Sequence, residues 1–375
     1  MRILVITTHI DSIGGIEEYC RTLVKALQRL GHDVEVWSMF DPPSGKEPGP
    51  NKKYLSPENR LGMRVYFRLR TLYMQQLLAR KAGRFDLVLA MHVMAVPALY
   101  WASWLRRDIE YWVWVYGSEV WGRMSHDVAR GLKRAGRIVS VSEYTANILQ
   151  DAVSLVEKPL VIYPPVDTRW FVPAPENQEP KSCFTLLTVG RIDHQGICYK
   201  GQDIVIKALR AIQGKLGKRV EYRVVGSGTR VDYLKALARE QGVFESVSFL
   251  GSVGKDELRK EYQGCDLFIM PSRMERLSNG YVTGEGFGIA YAEAAACGKT
   301  VVGSRHGGAA EAVLDGITGY LVNPSSVDEV IEATCSILGD PDKAEKMGRA
   351  GRHFVERNFS VDVFCERIAA LLRSG

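Results

Sequence analysis

Two carboxylates, Glu285 and Glu293, stand eight residues apart, with Gly286-Phe287-Gly288 and the start of a helix-forming run over 289–297 between them. A loop of small residues that feeds a helix start leaves backbone N–H groups without intrahelical partners, and the helix dipole favours negative charge there. The chemistry suggested is anion handling by the backbone around Gly288, Ile289 and Ala290. A carboxylate within helix reach of a bound phosphate would repel it. The two glutamates are better suited to hydroxyls, such as those of a ribose or hexose. The bland alternative is one capping carboxylate and one solvated helix acid. Upstream, Val189-Gly190-Arg191 offers a guanidinium fork at a strand end, and Lys200-Gly201 an ammonium entering a helix. Converging on a diphosphate, they would stabilise charge developing on a leaving group. Each alone reads as a surface cation, and only together with the glutamates do they suggest a site.

The elements that must position these residues read as alternating strands and helices. Apolar runs at 2–7, 34–38, 86–90, 111–116, 137–142, 184–189, 249–253 and 266–270 have strand length, 220–228 reads as a strand with a glycine loop, and 159–167 looks like the last strand before a crossing. Helical runs at 16–30, 143–152, 230–241, 255–262, 327–338, 343–358 and 361–372 separate or follow them, so the sheets should be parallel. The first β-loop-α-β unit lacks GxGxxG, which argues against a dinucleotide site. Its Gly14-Gly15 pair instead allows close backbone approach to a ligand, or makes an ordinary tight turn. The run 173–181 is polar and Pro-rich, as a linker would be. Asp340-Pro341-Asp342, the one DxD-like triplet of this region, sits between two helical runs and reads as a turn.

Length and composition set the outer bounds. A chain of 375 residues suits two domains, and 46% hydrophobic with 25% charged residues is ordinary for a globular protein. A net charge of +6 does not by itself argue for nucleic acid. Seven scattered cysteines without CxxC spacing fit reduced thiols in a cytosolic setting. The apolar run after Met1-Arg2 is strand-length, so no signal peptide is expected. Residues 46–84 carry ten Lys/Arg against Glu47 and Glu58, a net of +8. Within a helical run over 59–82, Arg60, Arg64 and Arg68 share one face beside a stripe of Leu61, Val65, Leu69 and Leu72. Such a face suits an anionic membrane surface or a phosphate-bearing lipid. A solvated face over a core-packed helix is the alternative.

The wording Glu285-Gly-Phe-Gly-Ile-Ala-Tyr-Ala-Glu293, followed by Ala296-Cys297-Gly298 and Gly307-Gly-Ala-Ala-Glu311, resembles the EX7E region of retaining glycosyltransferases in glycosyltransferase family 4. The resemblance covers most of the chain and is densest over 185–325. It implies an α/β GT-B fold: two Rossmann-like, doubly wound domains facing a cleft. The N-terminal acceptor-side domain would span 1–167, with a terminal helix over 360–375 packing back on it. The nucleotide-sugar domain would span 168–359. It further implies Glu285, Arg191 and Lys200 as catalytic residues. Arg191 and Lys200 would hold the diphosphate and Glu293 the ribose. Glu285 and the backbone at Gly288, Ile289 and Ala290 would position hexose and phosphate, and Val253 the nucleobase. Gly14 and Gly15 would lie near donor phosphate or acceptor. Tyr116, in Tyr116-Gly117-Ser118-Glu119, stands where the family often has histidine. A phenol can donate a hydrogen bond but is no neutral-pH base, and a retaining enzyme needs none there.

The implied reaction moves a hexose from a GDP-mannose or UDP-glucose type donor to a hydroxyl of a glycan or lipid-linked acceptor. No metal and no cofactor other than the donor substrate are expected, and no nucleic acid. The setting would be cytoplasmic, peripheral on the inner membrane face. The rivals are a GT-B sugar-nucleotide epimerase or phosphorylase, and a catalytically silent membrane-attached scaffold.

Overall fold

The structure, a computed structural model, describes residues 1–10, 14–39, 72, 74–175, 183–192, 198–278 and 280–374. Contacts divide it into two compact units. One holds Met1–Val141, Ala146–Ile162 and Cys365–Gly375, and the other Ser142–Thr145 and Tyr163–Phe364.

In chain order, the first sheet and its helices comprise β1 (Arg2–Thr7), α1 (Gly15–Arg29), β2 (Asp33–Ser38), helical residues 74–81 (α2), β3 (Leu87–Ala90), α3 (Val96–Leu105), β4 (Tyr111–Val115), α4 (Ser118–Trp121), α5 (His126–Arg134), β5 (Arg137–Ser140), α6 (Glu143–Val153) and β6 (Leu160–Val161). The strands run parallel in the order β2-β1-β3-β4-β5-β6. Ile3, Leu4, Val5 and Ile6 are fully buried, as expected for a strand covered on both faces. α1 turns Tyr19, Leu23 and Leu27 inward. The buried Tyr19 hydroxyl donates to the Ile162 carbonyl (3.2 Å) and accepts from the Trp114 indole (3.1 Å), so neither polar atom is left unpaired. The strand order reverses at β1, which puts the topological switch point between β1 and β3. Open α/β sheets bind ligands outside the carboxyl ends of strands at such points.

The second sheet, with its helices and a separate two-stranded piece, comprises β7 (Cys183–Val189), α7 (Gln202–Leu216), β8 (Arg219–Val225), α8 (Val231–Glu240), β9 (Val247–Gly251), α9 (Lys255–Gly264), β10 (Leu267–Ile269), β11 (Glu275–Arg276), β12 (Val282–Thr283), α10 (Ile289–Ala296), β13 (Val301–Ser304), β14 (Gly319–Val322), α11 (Val327–Leu338) and α12 (Pro341–Asn358); α13 (Val361–Arg373) follows, and from Cys365 on it belongs to the first unit. Its order is β14-β13-β10-β7-β8-β9, again parallel, with the switch point between β7 and β10. One core cluster joins Leu186, Tyr222, Val224, Leu267 and Ile269 of the sheet to Val205 and Leu209 of α7. The fold class is therefore that of two Rossmann-like α/β units.

Several local expectations are corrected. The loop after β10 contains an antiparallel hairpin, β11–β12, whose two-residue strands are too short to show a period in sequence. β9 ends at Gly251, so Val253 lies past the strand, in the loop before α9. Asp340-Pro341-Asp342 starts α12 rather than forming a separate turn. The Asp340 side chain accepts from the Lys343 N–H (3.0 Å), with proline in the first turn where its missing N–H costs nothing. Arg60, Arg64 and Arg68 lie outside the described residues, as does 176–181 of the expected linker. Among the described residues no helix is long and apolar enough to cross a membrane.

Candidate functional site

The second unit gathers most of the expected residues at the β7/β10 switch point. Two loops meet there. One follows β7 and carries Arg191, Lys200 and Gly201 into α7. The other follows β10 and carries Glu285 to Gly288 into α10. The Lys200 ammonium donates to the Glu285 Oε1, and the side chains are 12% and 7% exposed. Burial pulls the Lys200 ammonium toward deprotonation. Glu285, with Tyr199 and Tyr291, overrides that and holds its pKa above the ordinary lysine value, so it stays charged. One carboxylate does not saturate an ammonium with three donors. Lys200 can therefore keep Glu285 and also meet a phosphate oxygen.

The start of α10 is fixed by packing. Gly288 caps it in the left-handed region (φ 85°), and a Cβ there would lie 2.4 Å from the Tyr291 ring, so glycine is required twice over. The Tyr291 hydroxyl reaches back to the Met270 carbonyl at the end of β10. The first-turn N–H groups, at Ile289 and Ala290, lie where no intrahelical acceptor exists. Behind them Gly308 donates its N–H to the Glu285 carbonyl (3.0 Å). A Cβ on Gly308 would fall 1.9 Å from the Gly286 carbonyl oxygen, which explains the second glycine of the 307–308 pair. Glu293, half-buried on α10, accepts from the buried Tyr262 hydroxyl of α9 (2.8 Å).

Three side chains that the sequence did not single out hold this arrangement. Arg273 donates to the Asp203 carboxylate (2.7 Å) and the Cys198 carbonyl (2.8 Å), while its own N–H donates to the Tyr199 carbonyl (2.7 Å). The β10 loop is thereby clamped to the residues flanking Lys200. Gln202, fully buried, donates its amide to the Arg191 carbonyl (3.2 Å) and fixes the backbone there, while Arg191 itself is exposed. Arg273 offered no signal in sequence, because its role depends on a loop meeting that spans 70 residues of chain, and Gln202 offered none because its bond to the Arg191 carbonyl depends on how the turn before α7 folds back.

In the first unit, Gly14, Gly15 and Tyr116 lie at the carboxyl edge around β1, β3 and β4. Gly14 is extended (φ 176°), a conformation open to any residue, and a Cβ there would meet the Glu17 carboxylate at 2.2 Å. The Glu17 carboxylate therefore lies folded over Gly14. Tyr116 follows β4. Its hydroxyl is buried without a hydrogen-bond partner in the described structure, and its ring meets Tyr19 edge-on at 5.7 Å. His92, which the sequence passed over, sits at the end of β3. Burial lowers its pKa from the ordinary 6.5, with Glu119 and Glu17 pulling the other way. A base with a depressed folded pKa contributes its full stability above the unfolded value and loses it as pH falls toward the folded one. The melting temperature is therefore expected to drop from about pH 7.5 to about pH 5.5, and His92→Asn to shrink that drop in thermal scans. An unchanged slope would count against a buried neutral imidazole.

Two Rossmann-like units, with cations and carboxylates at the switch point of the second, define a GT-B glycosyltransferase class. The family description "Glycosyltransferase Family 4" matches residues 13–170, and "Glycosyl transferases group 1" matches 174–354. The chain belongs to this glycosyltransferase family. The GDP-mannose-dependent alpha-(1-6)-phosphatidylinositol monomannoside mannosyltransferase of Mycolicibacterium smegmatis is 30% identical over 96% of this chain and 94% of its own length. A GDP-mannose-dependent monoacylated alpha-(1-6)-phosphatidylinositol monomannoside mannosyltransferase of Corynebacterium glutamicum is 33% identical over 69% of this chain and 68% of its own. Among solved structures, sucrose-phosphate synthase of Thermosynechococcus elongatus shares the fold with a TM-score of 0.78 at 19% identity, covering 100% of this chain and 99% of that one. Anabaena Alr3699/HepE in complex with UDP and glucose does so at 0.72 and 20% identity, covering 100% of each chain.

Proposed function

We propose that the chain transfers a mannosyl group from GDP-mannose to a hydroxyl of a glycosylated phosphatidylinositol lipid, with retention at the anomeric carbon. The buried Lys200–Glu285 pair at the mouth of α10 carries this reading. It sets a permanent positive charge beside backbone donors, and a diphosphate leaving group needs both. Relatives named for GDP-mannose and phosphatidylinositol mannosides, at 30–33% identity, supply the donor and acceptor class. Arg191 and Lys200 hold the pyrophosphate, and Glu293, oriented by Tyr262, takes the ribose hydroxyls. Glu285, charge-balanced by Lys200, faces the hexose. The bond from the anomeric carbon to the diphosphate breaks as the bond to the acceptor oxygen forms on the same face. The acceptor proton ends on the departing diphosphate oxygen. The two cations supply the charge a metal would otherwise provide, and no cofactor beyond the donor enters.

Initial rates with GDP-mannose and UDP-glucose, on a phosphatidylinositol monomannoside acceptor, test the donor. Proton NMR of the product tests the anomer. The account expects GDP-mannose to lead and the product linkage to be alpha. Faster turnover with UDP-glucose or a beta product would overturn it. Attachment to the inner membrane face through the basic run 59–84 belongs to the same proposal. Unchanged sedimentation with anionic liposomes after Arg64→Glu and Arg68→Glu would remove it.

A further inference from the structure

The outer face of α3 is apolar and exposed. The helix reads Val-Pro-Ala-Leu-Tyr-Trp-Ala-Ser-Trp-Leu over 96–105 and has no charged residue. Its inner face is covered: Val96, Leu99 and Ala102 are fully buried. On that side Ser103 donates its hydroxyl to the Tyr100 carbonyl (2.9 Å) and accepts from the Arg134 guanidinium (2.8 Å). The outer face carries Trp101, Trp104 and Leu105, at positions i, i+3 and i+4, which are 38%, 66% and 64% exposed. A helix that is apolar all round belongs in an interior, and a contiguous apolar cluster left in water marks a binding surface. Two indoles and a leucine side by side therefore call for a partner from outside the described fold.

The surroundings say which partner. The crossovers from β2 to β3, β3 to β4 and β4 to β5 all step the same way across the sheet, so right-handed connections put α2, α3 and α5 on one face of it. α5 packs on α3 so closely that a Cβ on Gly131 would lie 2.4 Å from the Val96 side chain. Just past α2, a Cβ on Gly83 would lie 2.3 Å from the Arg106 guanidinium at the end of α3. The exposed cations here are Arg84 beside Gly83, Arg107 after α3, and Arg130 and Lys133 on α5, whose one acid is Asp127. Of the acids that follow α3, Asp108 is held by Arg106 (2.6 Å) and Glu110 accepts from the Trp112 indole (3.0 Å). The result is an aromatic centre with a basic rim. A second copy of the chain fits it poorly, because two-fold pairing would set one basic rim against the other. A bilayer with anionic headgroups fits both parts. Indoles settle at headgroup depth, leucine reaches the acyl boundary, and arginine and lysine meet lipid phosphates. We propose that α3 docks the first unit on an anionic membrane by inserting Trp101, Trp104 and Leu105. Arg84 belongs to the basic run 59–84, so the proposal rests on the same membrane as that reading, and it adds apolar insertion by a different helix.

Sedimentation of the full chain with phosphatidylcholine vesicles, with and without phosphatidylglycerol, tests it, together with tryptophan quenching by brominated acyl chains. The expected result is binding to the anionic vesicles, weaker binding to the neutral ones, and quenched tryptophan fluorescence in the bound protein. Trp104→Ser combined with Leu105→Ser should weaken binding about tenfold or more, since two apolar side chains no longer leave water, and should cut the quenching. Its melting temperature should stay that of wild type, because both side chains are on the surface. Arg64→Glu with Arg68→Glu separates the two readings: it should weaken binding yet leave the bound fraction quenched. Equal binding by wild type and the Trp104/Leu105 variant would overturn insertion by α3 while leaving attachment through 59–84 standing. Binding to neither vesicle, equal binding to both, or binding without quenching would overturn it as well. So would a wild-type dimer in sedimentation velocity that the Trp104/Leu105 variant dissociates, because the face would then join two copies.

Discussion

Lys200→Ala is expected to lower turnover with GDP-mannose about a hundredfold, a loss of ~3 kcal/mol of transition-state stabilisation. The loss should fall on kcat more than on donor KM, because charge on the diphosphate is greatest as the sugar leaves. Removing the ammonium also strands the Glu285 carboxylate, which is only 7% exposed. Glu285 then repels the diphosphate it had faced with a cation beside it. Lys200→Arg separates the two effects. It keeps the charge and so the ion pair, but a planar fork cannot copy a compact ammonium, so partial activity is expected. Retained turnover in Lys200→Ala, at a wild-type melting temperature, would remove Lys200 from the reaction.

The second large effect is structural. Arg273→Ala should destabilise the second unit by about 3–5 kcal/mol, because it leaves the Asp203 carboxylate buried without its cation. The Arg273 and Asp203 side chains are 18% and 9% exposed, so solvent can do little to replace the pairing. The same substitution takes the guanidinium off the Cys198 carbonyl, which keeps only the Gly201 N–H, on the loop that delivers Lys200, so activity should fall with stability. Replacing both partners, as in Arg273→Met with Asp203→Leu, should recover most of the stability in urea unfolding, since no buried charge remains unpaired. It should recover less of the activity, because the loop clamp is still missing. A single variant as stable as wild type would show that the pair is solvated in solution.

The parts legible in sequence were those with local causes. β1 and β10 announced themselves as short apolar runs, and α10 by its glycine start and by Gly298 after its end. Glu285, Glu293 and Lys200 could be singled out only in combination, since each alone reads as a cap or a solvated charge. The contact between Lys200 and Glu285 was not, since it joins loops 85 residues apart and arises only from the strand order. The same limit hid Arg273, Gln202 and Tyr262, whose roles are fixed by what packs beside them. Gly14 taught a different lesson. The sequence offered a glycine pair open to close backbone approach or to a tight turn, and the structure adds that Gly14 is extended with the Glu17 carboxylate folded over it. His92 stands alone past the end of β3, and a lone imidazole carries no pattern in sequence. Its neighbours Glu17 and Glu119 come from α1 and α4, which follow other strands of the same sheet.

The most direct measurement is a crystal structure of the full chain with GDP-mannose bound. The account predicts the pyrophosphate within hydrogen-bond reach of the Lys200 ammonium and of the N–H groups at Ile289 and Ala290, with the ribose hydroxyls on Glu293. A pyrophosphate bound away from Lys200, or a ribose out of reach of Glu293, would contradict it.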